Sequence, residues 1–307
     1  MHDSDTLRRF LFEHYPIRGH IVHLDASWRA LLEHRDYPAR IRDVLGEAVA
    51  ASVLMAATLK FDGTLSLQLR GDGPMHLMLA QCSNDLGVRA VARYRGNIEK
   101  GGLIALSGSG NLTVTLETED LSQRYQGVVP LESDSLAECL QTYFAQSEQL
   151  PTRFWLHAEP GGVSGMLLQR LPAETVVPKT NGPQSRVMPS AEEIEDAWRR
   201  AQLMADTLQP GELRTLTDKQ ILQRVFSEDD IRMFESAPVF FRCRCSRERV
   251  IGMLRALGPG ELRSILAERG NVEVRCDFCN RAYQFDAVDV EHLLSAGSHA
   301  ERSGAMH

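Results

Sequence analysis

Four cysteines in two close pairs, Cys243-Arg244-Cys245 and Cys276-Asp277-Phe278-Cys279, carry the chemistry that this sequence most plainly offers. Thiolates are soft ligands, and four of them form the closed tetrahedral set that Zn²⁺ takes. The C-x-x-C half has a familiar knuckle spacing. The C-x-C half is unusual, because structural zinc sites more often separate their cysteines by two or more residues. Arg242, Arg244, Arg247, Arg249 and Arg275 flank these thiols. Nearby positive charge favours the thiolate, the form that binds metal and reacts with oxidants. Three readings follow: a structural zinc ribbon, a redox-sensing zinc site, or a dithiol oxidoreductase. Cys82 and Cys139 stand alone in apolar patterns and are expected to be buried and inert.

The elements that must hold the four thiols are short. Val250, Ile251, Met253, Leu254 and Leu257 predict a helix ending at Gly258-Pro259. Leu262, Ile265 and Leu266 predict another, ended by Gly270. Val272 and Val274 lead as a strand into the knuckle, and Ala282–Phe285 lead out of it, which places Cys276 and Cys279 at the tip of a hairpin. From Arg242 to Phe285 there are nine arginines, no lysines and five acids, a balance of +4. A module of under ~50 residues rarely has enough core to fold alone. Structural zinc in small fingers supplies about 10–16 kcal/mol of apparent binding energy, whereas whole domains are stable by only about 5–15 kcal/mol. Losing the metal is therefore expected to remove the stability of such a module, so the site can act as a switch as well as a brace.

The 307 residues leave room for a larger domain ahead of this module. Hydrophobic content of 43% and charged content of 24% describe an ordinary globular protein. The net charge of −7 makes nucleic acid an unexpected partner. Met1 to Tyr15 lack the pattern of a signal peptide, and no stretch approaches the ~18 apolar residues of a membrane span. The expected location is the cytoplasm, where thiols stay reduced and clustered cysteines read as metal or redox groups.

An N-terminal domain is expected over residues 1–178. Thr6–Phe12 and Ile17–Leu24 read as strands, and a helix begins near Ala26. Ile41, Val44, Leu45, Ala48, Val49, Ser52, Met55, Ala56 and Leu59 form one helical stripe, expected to lie against a sheet. Leu65, Leu67, Leu69 and then Met75, Leu77, Leu79 alternate as in a hairpin. Further strands are expected at Val88–Tyr94, Leu112–Glu117, Gln126–Leu131, Phe154–Glu159 and Gly165–Arg170, with a helix around Leu136 to Phe144. The fold class is α+β with mainly antiparallel sheet and packed helices.

Pro178, Asn181-Gly182-Pro183 and Pro189 mark a boundary. A helical linker is expected over 179–240. Ser190-Ala191-Glu192-Glu193 and Thr217-Asp218-Lys219-Gln220 read as capping boxes, and Ser227-Glu228-Asp229-Asp230 opens a third short element carrying Ile231, Met233 and Phe234. Helices this short are marginal in water and need something to lie on. The segment is either a packed connector or a metastable cover whose apolar stripe can be bared. The zinc module spans 241–288, followed by a short helix and mobile tail over 289–307.

No catalytic constellation emerges. Gly108-Ser109-Gly110 lacks the third glycine of a dinucleotide fingerprint and precedes a strand. His20 and His23 lie on one strand with side chains expected on opposite faces, so they do not make a metal pair. A non-enzymatic role fits.

With these features assembled, the chain resembles the redox-regulated heat-shock holdase family, the thirty-three-kilodalton chaperonins. Arg18-Gly19-His20, Leu45-Gly46-Glu47-Ala48, Ala56 to Gly63, Gly71-Asp72-Gly73-Pro74 and Tyr125 to Val129 carry the likeness. So do Tyr143 to Thr152, Phe241 to Arg249 and Cys276 to Cys279. The arginine inside C-x-C departs from the smaller polar residues common in the family, without removing a ligand. The resemblance implies an ATP-independent chaperone that binds unfolding proteins under oxidative stress, with one Zn²⁺ per chain on Cys243, Cys245, Cys276 and Cys279 when reduced. It implies disulfides Cys243–Cys245 and Cys276–Cys279 on oxidation, zinc release, linker unfolding and a homodimer. Trp198, Met204, Leu222 and Phe226 are then the apolar positions expected to become available to clients. The alternatives are a zinc-ribbon nucleic-acid-binding protein, favoured by the arginines and opposed by the acidity, and a dithiol-disulfide oxidoreductase, which lacks the βαβ context.

Overall fold

Apolar alternation at Thr6–Phe12 (β1) and Ile17–Leu24 (β2) gives an antiparallel hairpin about Tyr15-Pro16. In chain order there follow α1 (Ala26–Leu32), α2 (Ala39–Ala56), β3 (Gly63–Gly71), β4 (Met75–Ser83), β5 (Gly87–Tyr94), α3 (Leu103–Ser107), β6 (Gly110–Thr118) and β7 (Arg124–Pro130). Then come α4 (Leu136–Tyr143), β8 (Thr152–Glu159), β9 (Gly162–Arg170), α5 (Ala191–Ala205), α6 (Pro210–Thr215), α7 (Asp218–Val225), β10 (Ile231–Pro238) and β11 (Phe240–Phe241). The last elements are α8 (Arg247–Leu257), α9 (Pro259–Arg269), β12 (Val272–Arg275), β13 (Ala282–Phe285) and α10 (Ala287–Ser303). This computed structural model describes residues 4–96, 98, 101–118, 124–173 and 189–303. The boundary signals at Pro178 and Asn181-Gly182-Pro183 lie outside the described residues.

The chain divides into two units, Met1–Arg242 and Cys243–His307. The first contains a five-stranded sheet, β10-β1-β2-β9-β8, and a six-stranded sheet, β11-β5-β4-β3-β6-β7. All pairings are antiparallel except the two-residue β11–β5 ladder. Helix α2 packs against strands of both sheets. Its burial therefore extends beyond the single stripe expected: Ala50, Ala51, Val53 and Leu54 are buried along with Ile41, Val44 and Leu45. At Gly46 a Cβ would stand 2.5 Å from that of Ala158, so the glycine permits the close approach. One shared core runs from Val22, Leu24 and Leu167 of one sheet through α2 to Leu65, Leu67 and Leu69 of the other.

The outer face of the five-stranded sheet carries a second core. Phe10, Phe12, Ile17, Ile21, Met166 and Leu168 project there and are covered by α5, α6 and α7. The caps read from the sequence are present: Ser190 and Thr217 each accept from the amide three residues on, with Glu193 and Gln220 reaching back. The third linker element is a correction. Ser227-Glu228-Asp229-Asp230 does not open a helix; Ile231–Pro238 forms β10, antiparallel to β1. The acids there are used otherwise, Asp229 pairing with Arg200 and Asp230 with His14. Ile231 and Met233 alternate toward the second core, and the open edge of β1 supplies backbone partners that a short isolated helix lacks.

In the second unit β12 and β13 pair antiparallel, from Val272↔Phe285 to Arg275↔Ala282, with α8, α9 and α10 packed around Val250, Leu254, Leu262, Val272, Tyr283, Phe285, Val290 and Leu293. Gly258 and Gly270 end α8 and α9 at φ of 87° and 75°, where only glycine is unstrained. Helix α10 is longer than the short helix expected, reaching Ser303. The last four positions of the predicted tail, 304–307, lie outside the described residues.

Gly19 faces Phe10 across the β1–β2 ladder, and a Cβ there would fall 2.1 Å from the Phe10 ring. Phe10 in turn stands 6.2 Å, centroid to centroid, from Phe226. Gly19→Ala should therefore push the ring into the linker and destabilise the first unit by about 1–3 kcal/mol in urea unfolding; an unchanged midpoint would contradict this packing.

Candidate metal centre

Cys243 and Cys245 lie on the irregular stretch before α8, which Ser246 caps by accepting from the Arg249 amide at 3.3 Å. Cys276 and Cys279 lie on the turn joining β12 to β13. That turn is fixed by its backbone: the Cys276 amide donates to the Arg281 carbonyl at 3.0 Å, and the Asn280 amide to the Cys276 carbonyl at 2.8 Å. Asn280 takes φ of 55°, which asparagine tolerates. The sequence-derived hairpin tip is thus where the structure puts the knuckle.

The four sulfurs all lie within 4.8 Å of one another. Cys243–Cys276 and Cys245–Cys279 approach to 3.5 and 3.4 Å. All four are free thiols. A tetrahedral ion with ~2.3 Å bonds to sulfur would set its ligands about 3.8 Å apart, so the donor set fits a closed four-sulfur metal site. Donor chemistry and spacing agree.

A neighbour that the cysteine spacing did not reveal completes the site. The Tyr283 hydroxyl donates to Cys245 Sγ at 3.1 Å. Burial alone would raise the Cys245 thiol, but hydrogen bonds from Tyr283 and the neighbouring cysteines outweigh it and bring the thiol down to about 7. Burial pushes Cys243 and Cys279 up instead. The signal for Tyr283 was its place on β13, where alternation turns Tyr283 and Phe285 into the small core.

The surrounding arginines are engaged with protein. Arg247 donates to the Gln284 carbonyl at 3.0 Å, pairs with Asp289 at 2.9 Å and sits 4.2 Å above the Phe285 ring. Arg249 donates to the Arg244 carbonyl. Arg263 pairs with Glu291, and Arg275 with Glu273. As expected, Cys82 and Cys139 are buried, and burial raises both thiols, Cys82 to about 12.

The linker positions singled out in the sequence are only partly brought together. Trp198, Leu222 and Phe226 are buried in the second core of the first unit. Met204 is not part of that buried set; it is 44% exposed, because the covering stripe of α5 runs through Ile194, Ala197, Trp198, Ala201 and Ala205. His20 and His23 fall on opposite faces of β2. Burial, with Arg18 and Arg9 nearby, holds His20 down to about 3, whereas His23 Nε2 lies 3.1 Å from Asp218 Oδ1.

Two outcomes are expected at the centre. Stripping the ion should unfold the second unit, whose core is only a few side chains, and should leave the sheets of the first unit protected in amide exchange. Tyr283→Phe should keep the metal but weaken its hold about 10–100-fold, as loss of an outer-shell partner does; competition against a chromogenic chelator measures it.

A family model described as Hsp33 protein matches residues 5–286. The 33 kDa chaperonin of Methylobacillus flagellatus is 43% identical over 296 residues, covering 96% of each chain. That of Nitrosococcus oceani is 43% identical over 307 residues and covers the whole of both. The crystal structure of the 33 kDa chaperonin from Thermotoga maritima, 23% identical, superposes with a TM-score of 0.80 over 96% of this chain and 99% of its own. The fold is shared with that structure, and by sequence over nearly its whole length the chain belongs to the Hsp33 family of chaperones.

Proposed function

We propose that the chain is a redox-regulated, ATP-independent holdase, switched on when its four clustered thiols are oxidised and a Zn²⁺ ion leaves. The observation that carries this reading is the four-sulfur cluster within a unit of very small core. In this reading residues 1–178 are the chaperone body, 179–240 the regulated linker and 241–288 the switch. Zinc is the ion that four thiolates in a closed tetrahedron select. When bound, it would hold Cys243, Cys245, Cys276 and Cys279 together and so maintain the second unit.

Each pair of thiols gives up two electrons and two protons to form a disulfide, and one peroxide takes them to become two waters. The pairs are Cys243–Cys245 and Cys276–Cys279. In the folded cluster Cys243–Cys276 and Cys245–Cys279, sulfurs of a different pairing, approach to 3.5 and 3.4 Å. All four sulfurs lie within 4.8 Å of one another, so the local partners are also close, and disulfide formation is tied to departure of the ion that the thiolates would hold. A C-x-C disulfide closes a very short loop and is readily reduced, which suits a reversible switch.

Unfolding then frees the linker. Trp198, Leu222 and Phe226, with the already exposed Met204, become available to unfolding clients in the cytoplasm. Sticky surface released in this way also favours a homodimer. No chemistry on clients is required, so the protein is not an enzyme. The nucleic-acid reading loses ground because arginines such as Arg247, Arg263 and Arg275 are occupied by carboxylates of the chain.

The test follows zinc, thiols and client aggregation together during peroxide treatment. Zinc loss should precede aggregation suppression, one ion per chain, with disulfides mapped within each pair. Suppression by a chain that still holds its zinc on four free thiols would overturn the proposal. Cys279→Ser should hold zinc poorly and suppress aggregation without oxidant.

A further inference from the structure

The cover on the five-stranded sheet is largely apolar, and a buried polar cluster lies within it. Arg8 on β1 and His23 on β2 face the linker from within the apolar surface, and both meet Asp218, the first residue of α7. Arg8 Nε is 2.5 Å from Asp218 Oδ2, and His23 Nε2 is 3.1 Å from Oδ1. The side chains of Arg8, Asp218 and His23 are only 17%, 5% and 1% exposed. Arg8 also donates to the Phe234 carbonyl of β10 at 2.9 Å. Burial would push the Asp218 carboxyl up, but its contacts with His23 and Arg8 outweigh this and hold it below the ordinary carboxylate range.

Among the other ion pairs between linker and body, Arg214–Asp25 is also shielded, its side chains 14% and 19% exposed, but it involves no residue of the sheet face; two more differ in kind. Arg170–Glu195 and Arg153–Asp206 sit where solvent screens them, with carboxylates 62% and 45% exposed. Such pairs contribute little. A buried charge, by contrast, is tolerated only while it is paired, and removing one partner leaves the other stranded in an apolar setting. Asp218 thus seats its carboxylate on Arg8 and His23 beside Phe10, Phe12, Ile17 and Ile21 of the sheet face, and lifting α7 would vacate that seat.

We infer that Arg8 and His23 form a carboxylate-recognition point on this face, that α7 is its built-in occupant, and that the partner it takes after release is an apolar segment bearing an acidic side chain. The inference rests on the holdase reading above and specifies which client segments that surface prefers. Two features of α7 define the match: a carboxylate at Asp218, and Ile221, Leu222 and Val225 on the following turns of the same face. A client segment with an Asp followed at three, four and seven residues by apolar side chains reproduces both. Apolar segments with lysine or arginine at the acidic position would bring like charges together in a dry setting.

The probe is a synthetic peptide spanning residues 216–228, added to the full-length oxidised protein. It should bind the oxidised chain and not the reduced one, whose face is covered. The same peptide with Asn at the Asp218 position should bind about tenfold or more weakly, as loss of a charge-assisted contact predicts. Arg8→Leu in the full chain should abolish the preference for Asp over Asn while leaving some apolar binding. Should Arg8→Leu fail to fold, His23→Leu carries the same comparison, and the two peptides on the unmodified chain decide independently of either variant. Equal affinity for the Asp and Asn peptides would overturn the inference, as would no peptide binding at all by a chain that still suppresses client aggregation. Absence of aggregation suppression by the oxidised unmodified chain would instead sink the holdase reading, so the two failures are distinct.

Discussion

The outer face of the five-stranded sheet is apolar, and an apolar sheet face must be covered. Phe10, Phe12, Ile17, Ile21, Met166 and Leu168 are too many to leave wet. The chain meets this need with its own later residues. Three short helices, individually marginal, gain stability only by lying on that face. The dependence is mutual: the face requires a cover, and the cover has no other reason to be ordered. Such an arrangement holds apolar surface in reserve.

A second marginal element follows in sequence. Among the described residues, the unit from Cys243 onward has eight buried apolar side chains as its core and four thiols drawn together. Hydrophobic burial alone is a thin support for sixty-odd residues, whereas a tetrahedral ion contributes on the scale of a whole domain's stability. Two segments of low intrinsic stability, one held by packing and one with a thin core around four sulfurs that could take an ion, thus stand in series along one chain.

Much of this was legible in the residues. Two-fold alternation located β1, β2 and the strands of the central sheets, because strand periodicity is local information. The capping boxes at Ser190 and Thr217 held, since a cap needs only four consecutive residues. The cysteine spacing located the cluster of four sulfurs that could hold a metal ion. What escaped was non-local. Ile231–Pro238 became a strand because the edge of β1, more than 200 positions earlier, offered a ladder. Helix α2 is buried on several sides because two sheets enclose it, where one stripe suggested one neighbour. The amides at the start of α1 are satisfied by Asp5, twenty residues away, which accepts from Asp25, Ala26 and Ser27. Met204 looked like part of the covering stripe and lies outside it. Tyr283 was visible as a core residue but not as a partner of Cys245.

The short strand β11 has a mechanical meaning. Phe240 and Phe241 add two rungs to the six-stranded sheet, whereas Ile231–Pro238 adds a full edge to the five-stranded one, and Val239 alone separates them. Residue 243 is joined to the body through these two ladders in order, the weaker first. Fraying that starts at the cysteines meets a two-rung fastening before an eight-residue seam. The polypeptide therefore has a graded zip, in which a small disturbance opens only the last tooth and a large one runs on to the sheet edge.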